Sequence, residues 1–353
     1  MSASQGVRPP AELTAIAART EVRLAEILAA ERRQWAELDP ALDEPLGDLA
    51  DMVLGGGKRI RPAYCHWGWL LGGGDPGGDG ALDGGCALEI LHAFALAHDD
   101  VMDGSATRRG TPTVWRKFVQ RHRDRGWLGE DRRFGEAAAV LAGDMAMVLA
   151  DRTLGEVSPQ TRAVWDGLRT ELNMGQYLDV VGSARGRATP HEALRIIEHK
   201  TARYTVVRPL QLGAALAGRP DLAEPLARHG RPVGMAFQLR DDVLGAFGDP
   251  AATGKPVGDD LKEGKPTLLM ALARDAATPS QQAVLDAVGS ELDDHAVAEV
   301  QQAIVDTGAL DRVKYEIADL LAEALDALDD LPDMPAVKEA LADSAFFVAM
   351  RQA

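Results

Sequence analysis

Leu88-Glu89-Ile90-Leu91-His92-Ala93-Phe94-Ala95-Leu96-Ala97-His98-Asp99-Asp100, continued by Val101-Met102-Asp103, is apolar on most sides and then abruptly acidic. A run of that kind reads as an inner helix, because a helix with one flank in water keeps a polar stripe. Segments 84–104, 136–153 and 231–246 share the character. Outside them lie amphipathic stretches with 3–4 spacing: Leu13, Ile16, Ala17, Leu24, Ile27 and Leu28 near one end, and Val313, Ile317, Leu320, Leu321, Leu325 and Leu328 near the other. Alternating stretches of the β type are nearly absent, and aromatic residues make up only 5%. The expectation is an all-α bundle forming a single domain over residues 1–353, without a solenoid repeat.

Breaks are expected at Gly72–Gly85, 124–135, 182–190, 218–221 and 248–267. The first lacks the Gly-Lys-Ser/Thr ending of a phosphate loop, and its charges, Asp75, Asp79 and Asp83, are all negative. It reads as a solvated connector.

A net charge of −16 argues against a nucleic-acid binder, which needs a basic footprint. An acidic chain that binds an anion must gather its cations locally or use metal ions. Cys65 and Cys86 are the only cysteines, too few for a disulfide framework, and read as buried structural thiols. The N-terminal sequence lacks the basic-then-apolar plan of a signal peptide, and no uninterrupted apolar run reaches membrane-spanning length. A soluble cytoplasmic protein without stable membrane insertion is expected.

Two aspartate clusters carry the chemistry. Asp99 and Asp103 stand one turn apart, with Asp100 beside them and His92 seven residues before Asp99, near the same face. Acids at a helix C-terminus oppose the macrodipole, so a merely decorative acidic end fits poorly. Oxygen-only donors suit Mg²⁺, which shares its shell with water and substrate phosphates. In Phe237-Gln238-Leu239-Arg240-Asp241-Asp242-Val243-Leu244-Gly245, Gln238, Asp241 and Asp242 share a face, but glycine stands where a third carboxylate would complete the set. Asp249 is not expected to substitute, since Gly248 and Pro250 should end the helix.

The cations are grouped as well. Gly55-Gly56-Gly57-Lys58-Arg59-Ile60-Arg61-Pro62 sets three beside three glycines, a segment whose backbone can approach an anion. Thr107-Arg108-Arg109-Gly110 follows the first acidic cluster, with guanidinium groups shaped for phosphate oxygens. Lys255, Lys262 and Lys265, spaced by Gly254, Gly258 and Gly264, suggest a lid over phosphates.

Together these segments resemble the trans-isoprenyl diphosphate synthases, the polyprenyl synthetase family, over about residues 50–270. The longest matches are His98-Asp99-Asp100-Val101-Met102-Asp103 with Arg108-Arg109-Gly110, and Gly234 to Asp242. The resemblance implies helices around a central cavity, three Mg²⁺ ions per active site, and a homodimer. It implies that Asp99, Asp103 and Asp241 ligate the metal with Asp100 and Asp242 in support. Arg108, Lys200, Thr201, Gln238, Lys255 and Lys265 would hold an allylic diphosphate, with Lys200 also counted among the catalytic residues. Lys58, Arg61, His92 and Arg109 would bind isopentenyl diphosphate, and Gln176 and Asp179 would line the same cavity. Phe94 and the small Ala95 resemble the chain-length floor of geranylgeranyl diphosphate synthases, with farnesyl or C25 products as alternatives. A class I terpene cyclase shares the fold class and an Asp-rich site, but has no need of a second diphosphate pocket. A His-Asp metallohydrolase would need further ligands, and His122, His191 and His229 lie in polar stretches. A non-catalytic subunit of a heteromeric synthase is a further alternative.

Overall fold

A computed structural model describes residues 9–108, 110–248, 258–290 and 292–351. Arg109, Asp249 and Lys255 therefore lie outside the described residues. The expected all-α class is borne out: among the described residues, the regular elements apart from a two-stranded ribbon are helices. Contacts gather into two compact units, one of Ala11–Arg162 with Leu212–Pro220, the other of Ala163–Gln211 with the chain from Asp221 onward.

In the first unit, α1 (Ala11–Leu38), α2 (Asp43–Leu54) and α3 (Ile60–Leu71) precede α4 (Asp79–Met102). A ribbon of β1 (Thr107–Arg108) and β2 (Thr111–Pro112) leads to α5 (Val114–Asp124) and α6 (Asp131–Leu154). The central run of α4 is buried as its sequence requires: Ala87, Leu88, Ile90 and Leu91 have no exposure. Each fully buried Leu or Ile contributes about 1.5–3 kcal/mol. By length and composition α4 could cross a membrane, but 67% of its most apolar window is buried within the fold, as in a core helix.

The Gly72–Gly85 reading needs correction, because α4 begins at Asp79 and absorbs the second half of that run. Composition hid the helix. Its glycines serve close packing instead: a Cβ at Gly85 would sit 3.0 Å from Pro62 of α3, and one at Gly84 2.8 Å from Leu216. The break at 124–135 is also shorter than expected, since α6 starts at Asp131. Cys65 and Cys86 are free and buried, their thiols pushed by burial up to about 12, as inert structural groups should be.

α7 (Pro159–Arg185), most of it in the second unit, is followed by α8 (Pro190–Ile196), which Thr189 and Glu192 start with a reciprocal capping box. The helix then widens to π geometry over Ile197–Val207 before α9 (Arg208–Leu216), whose residues from Leu212 belong to the first unit. Next come α10 (Ala223–Phe247), α11 (Asp259–Glu263), α12 (Leu268–Ala276), α13 (Pro279–Leu285), α14 (Asp294–Asp306), α15 (Ala309–Asp326) and α16 (Pro335–Met350). A Cβ at Gly234 would come 2.5 Å from Ala202 Cα, and one at Gly175 2.7 Å from Lys200 Cα. Those glycines let α10 and α7 press directly on the π segment that carries Lys200 and Thr201. Wide turns of this kind gather at functional sites.

Candidate active site

In the first unit, Asp100 is 2% exposed, Asp99 is half-buried and Asp103 is open to solvent. A buried carboxylate stays ionised only with a partner. The partner is Arg108, returned by the ribbon and its Gly110 turn (φ 74°): its Nε donates to Asp100 Oδ1 at 2.9 Å, and a terminal nitrogen reaches Asp99 Oδ2 at 3.4 Å. One cation thus fixes two carboxylates and leaves Asp103 exposed. His92 lies half-buried on the same helix, while Lys58 and Arg61, also half-buried, flank the start of α3. Phe94 is buried with its ring edge against His98, centroids 4.7 Å apart, and Ala95 is half-buried.

His98 itself is structural. Its Nε2 lies 3.0 Å from the Val140 carbonyl of α6, and its ring occupies space that a Cβ at Gly143 would overlap. Its Nε2 is thereby engaged by the backbone of α6. His229, expected in a polar stretch, is fully buried, with Nδ1 2.8 Å from the Ala324 carbonyl.

In the second unit a chain of hydrogen bonds links the expected residues. Thr201 Oγ1 donates to Gln238 Oε1 at 2.8 Å, and Gln238 Nε2 donates to Asp242 Oδ1 at 2.7 Å. Lys200 Nζ donates to Asp179 Oδ2 at 2.6 Å. Burial pushes the Asp242 carboxyl up to about 8, with Asp260 and Asp241 adding to the rise and the Gln238 hydrogen bond opposing it.

Two partners in this half, Asp260 and Arg351, were not foreseen. Asp260, from α11, presses its carboxylate against Gly245, where any Cβ would overlap it. Glycine at 245 is therefore the space that Asp260 fills. Lys265 pairs with Asp260 at 3.1 Å and Glu263 at 2.7 Å; burial works against its charge, but the two carboxylates more than restore it. Arg351, buried at the end of α16, donates to Asp241 Oδ1 at 2.8 Å and covers the Phe237 ring at 4.2 Å. Arg240 holds the Arg351 carbonyl at 2.6 Å. Asp260 is legible only as a carboxylate in a loop of lysines. Arg351 carries no local signal, being 110 residues from its partner.

The donors in both halves are carboxylate oxygens. Among the described residues no group of three or more His, Cys, Asp or Glu forms a ready cage for a metal ion. Such a set fits Mg²⁺, which takes most of its shell from water and phosphate.

The polyprenyl synthetase family model matches residues 43–307. A (2E,6E)-farnesyl diphosphate synthase of Mycobacterium tuberculosis is 34% identical over 310 residues, covering 84% of this chain and 80% of that protein. A geranylgeranyl diphosphate synthase of Methanosarcina mazei is 34% identical over 297 residues, 80% of this chain and 83% of that one. Among solved structures, a geranylgeranyl pyrophosphate synthase of Corynebacterium glutamicum, complexed with isoprenyl diphosphate and magnesium, superposes with a TM-score of 0.88. It is 39% identical, with 94% of this chain and 97% of that one covered.

Two outcomes follow from the geometry. Because Asp260 occupies the space beside residue 245, Gly245→Asp alone will destabilise the chain by about 1–3 kcal/mol in chemical denaturation, and adding Asp260→Ala will recover most of the loss. The raised Asp242 carboxyl favours folding fully below its unfolded value near about 4, and that contribution is lost as pH rises through its folded value of about 8. In chelator, Asp242→Asn should therefore gain stability over wild type by on the order of 1 kcal/mol per pH unit across that window, read from thermal melts.

Proposed function

The chain belongs to the polyprenyl synthetase family and is a trans-prenyltransferase, and on that premise we propose that it joins isopentenyl diphosphate head-to-tail to an allylic diphosphate, giving geranylgeranyl diphosphate. The observation that carries the reading is α4 itself. One helix bears His92, Phe94, Asp99 and Asp100, Asp103 follows as its C-cap, and Arg108 folds back onto the acids. Its polar end suits a diphosphate, and the buried Phe94 ring lies roughly 7–8 Å further down the axis, where a growing apolar chain would be stopped. Relatives named for both farnesyl and geranylgeranyl products match the chain, so the C20 assignment rests on Phe94 beside the small Ala95.

The chemistry begins with heterolysis of the allylic C1–O bond, which leaves a carbocation and a pyrophosphate with added negative charge. Mg²⁺, three ions in this reading, would neutralise that leaving group as a Lewis acid. Asp99, Asp103 and Asp241 would hold the ions, with Asp100 and Asp242 behind them. As in the family, Arg108, Lys200 and Lys265 would bring positive charge to the allylic diphosphate, and Thr201 and Gln238 would add polar contacts. Lys255 would join them, and Arg109 the second diphosphate, where Lys58, Arg61 and His92 bind isopentenyl diphosphate. The double bond of that substrate attacks the allylic C1, forming the new C–C bond. A proton then leaves its C2 for the departing pyrophosphate, so no side chain need act as base. Apolar side chains around the cation exclude water that would otherwise trap it.

Homodimerisation and a cytoplasmic location complete the proposal. Incubation with each allylic diphosphate, with and without isopentenyl diphosphate, tests it through product chain length. Wild type should form product only with both substrates, ending at C20, and Phe94→Ala should lengthen it. Product made without isopentenyl diphosphate would indicate a terpene cyclase instead, and an unchanged length in the variant would remove Phe94 as the floor.

A further inference from the structure

Of the three cations in Gly55–Pro62, the middle one points inward. Arg59 is 4% exposed, and its terminal nitrogens donate to Glu89 Oε2 of α4 at 2.6 Å and to the Val53 carbonyl of α2 at 2.8 Å. Glu89 is 5% exposed, and Glu21 of α1 stands 3.7 Å from Arg59 Nε. Arg59 is also the only non-glycine residue with a positive φ among the described residues (φ 47°, ψ 40°). A left-handed turn is costly for a residue with a Cβ and persists only where its surroundings impose it. Gly56 and Gly57 before it also take positive φ (84° and 143°), which glycine adopts freely, whereas at Arg59 the same region strains a residue with a Cβ. Something must hold it there.

We propose that Arg59 is a positioning residue for the isopentenyl diphosphate pocket: its ion pair with Glu89 pins the left-handed turn that presents Lys58 and Arg61 to the substrate. The proposal rests on the assignment of Lys58, Arg61 and His92 to that diphosphate. Gly85, Glu89 and His92 form one stripe on α4, at spacings of four and three. The cationic segment touches that stripe at two successive points, Pro62 against Gly85 and Arg59 against Glu89. His92 is the next residue along it, about 4.5 Å further up the axis. The strut therefore registers the glycine-rich segment against the helix that carries the third binding group. Of three like charges in four residues, one is neutralised in the core, and the two at its flanks are half-buried. Lysine at 59 would lack the fork that reaches the carboxylate and the carbonyl together.

Replacing the pair with apolar groups of similar volume, Arg59→Met with Glu89→Leu, separates positioning from folding, since such exchanges are often neutral for stability. The double variant should melt like wild type and raise KM for isopentenyl diphosphate about tenfold or more, while KM for the allylic diphosphate stays within about twofold. A folded double variant with unchanged KM for isopentenyl diphosphate overturns the proposal. If the double variant does not melt cooperatively, Glu89→Gln, which keeps the shape, is judged by the same selective rise or its absence. Wild-type enzyme that makes no product from isopentenyl diphosphate would instead overturn the functional assignment and this inference with it.

Discussion

Carboxylates crowded at the ends of buried helices must be matched by positive charge or give up their own, and the surroundings of the reactive groups follow from that constraint. The first cluster meets it with Arg108, one guanidinium shared by Asp99 and Asp100. The second meets it in pieces: Arg351 takes Asp241, Lys265 takes Asp260, and burial pushes the Asp242 carboxyl up to about 8. A divalent cation arriving with a diphosphate would meet two differently prepared sites. One has two of its carboxylates already bridged by a guanidinium, whereas the other holds Asp242 buried behind the Arg351-paired Asp241.

Precision comes from backbones that touch. Gly234 and Gly175 bring α10 and α7 onto the π segment, so Thr201 and Lys200 meet Gln238 and Asp179 at hydrogen-bond distance. Gly143 instead makes room for the His98 ring, whose Nε2 meets the Val140 carbonyl just before Asp99. A side chain at any of these positions would separate elements whose spacing the hydrogen bonds require.

Much of this was legible in the residues. The apolar run before Asp99 marks a buried helix, and the two clusters with their cations mark the family in the sequence alone. Gly72–Gly85 misled because glycine content usually marks a connector, while Gly84 and Gly85 serve helix contact inside α4. Gly245 looked like a missing ligand, because nothing local says that Asp260, fifteen positions on, fills the place. Arg351 and the inward turn of Arg59 were hidden for the same reason. Periodicity assigns faces within one element, whereas these contacts are set by where distant elements pack. The π widening at Ile197–Val207 has no composition signature, since its residues suit an ordinary helix equally well.

Whether the two clusters act as one catalytic unit is tested most directly by single-turnover release of pyrophosphate from the allylic diphosphate, with isopentenyl diphosphate and Mg²⁺ saturating, in Asp103→Ala, Asp241→Ala and the double variant. Groups that act together are strongly non-additive. Each single change should slow release by about a hundredfold or more, and the double should be little worse than the slower single. Losses that multiply in the double variant, or either cluster proving dispensable, would contradict a shared site.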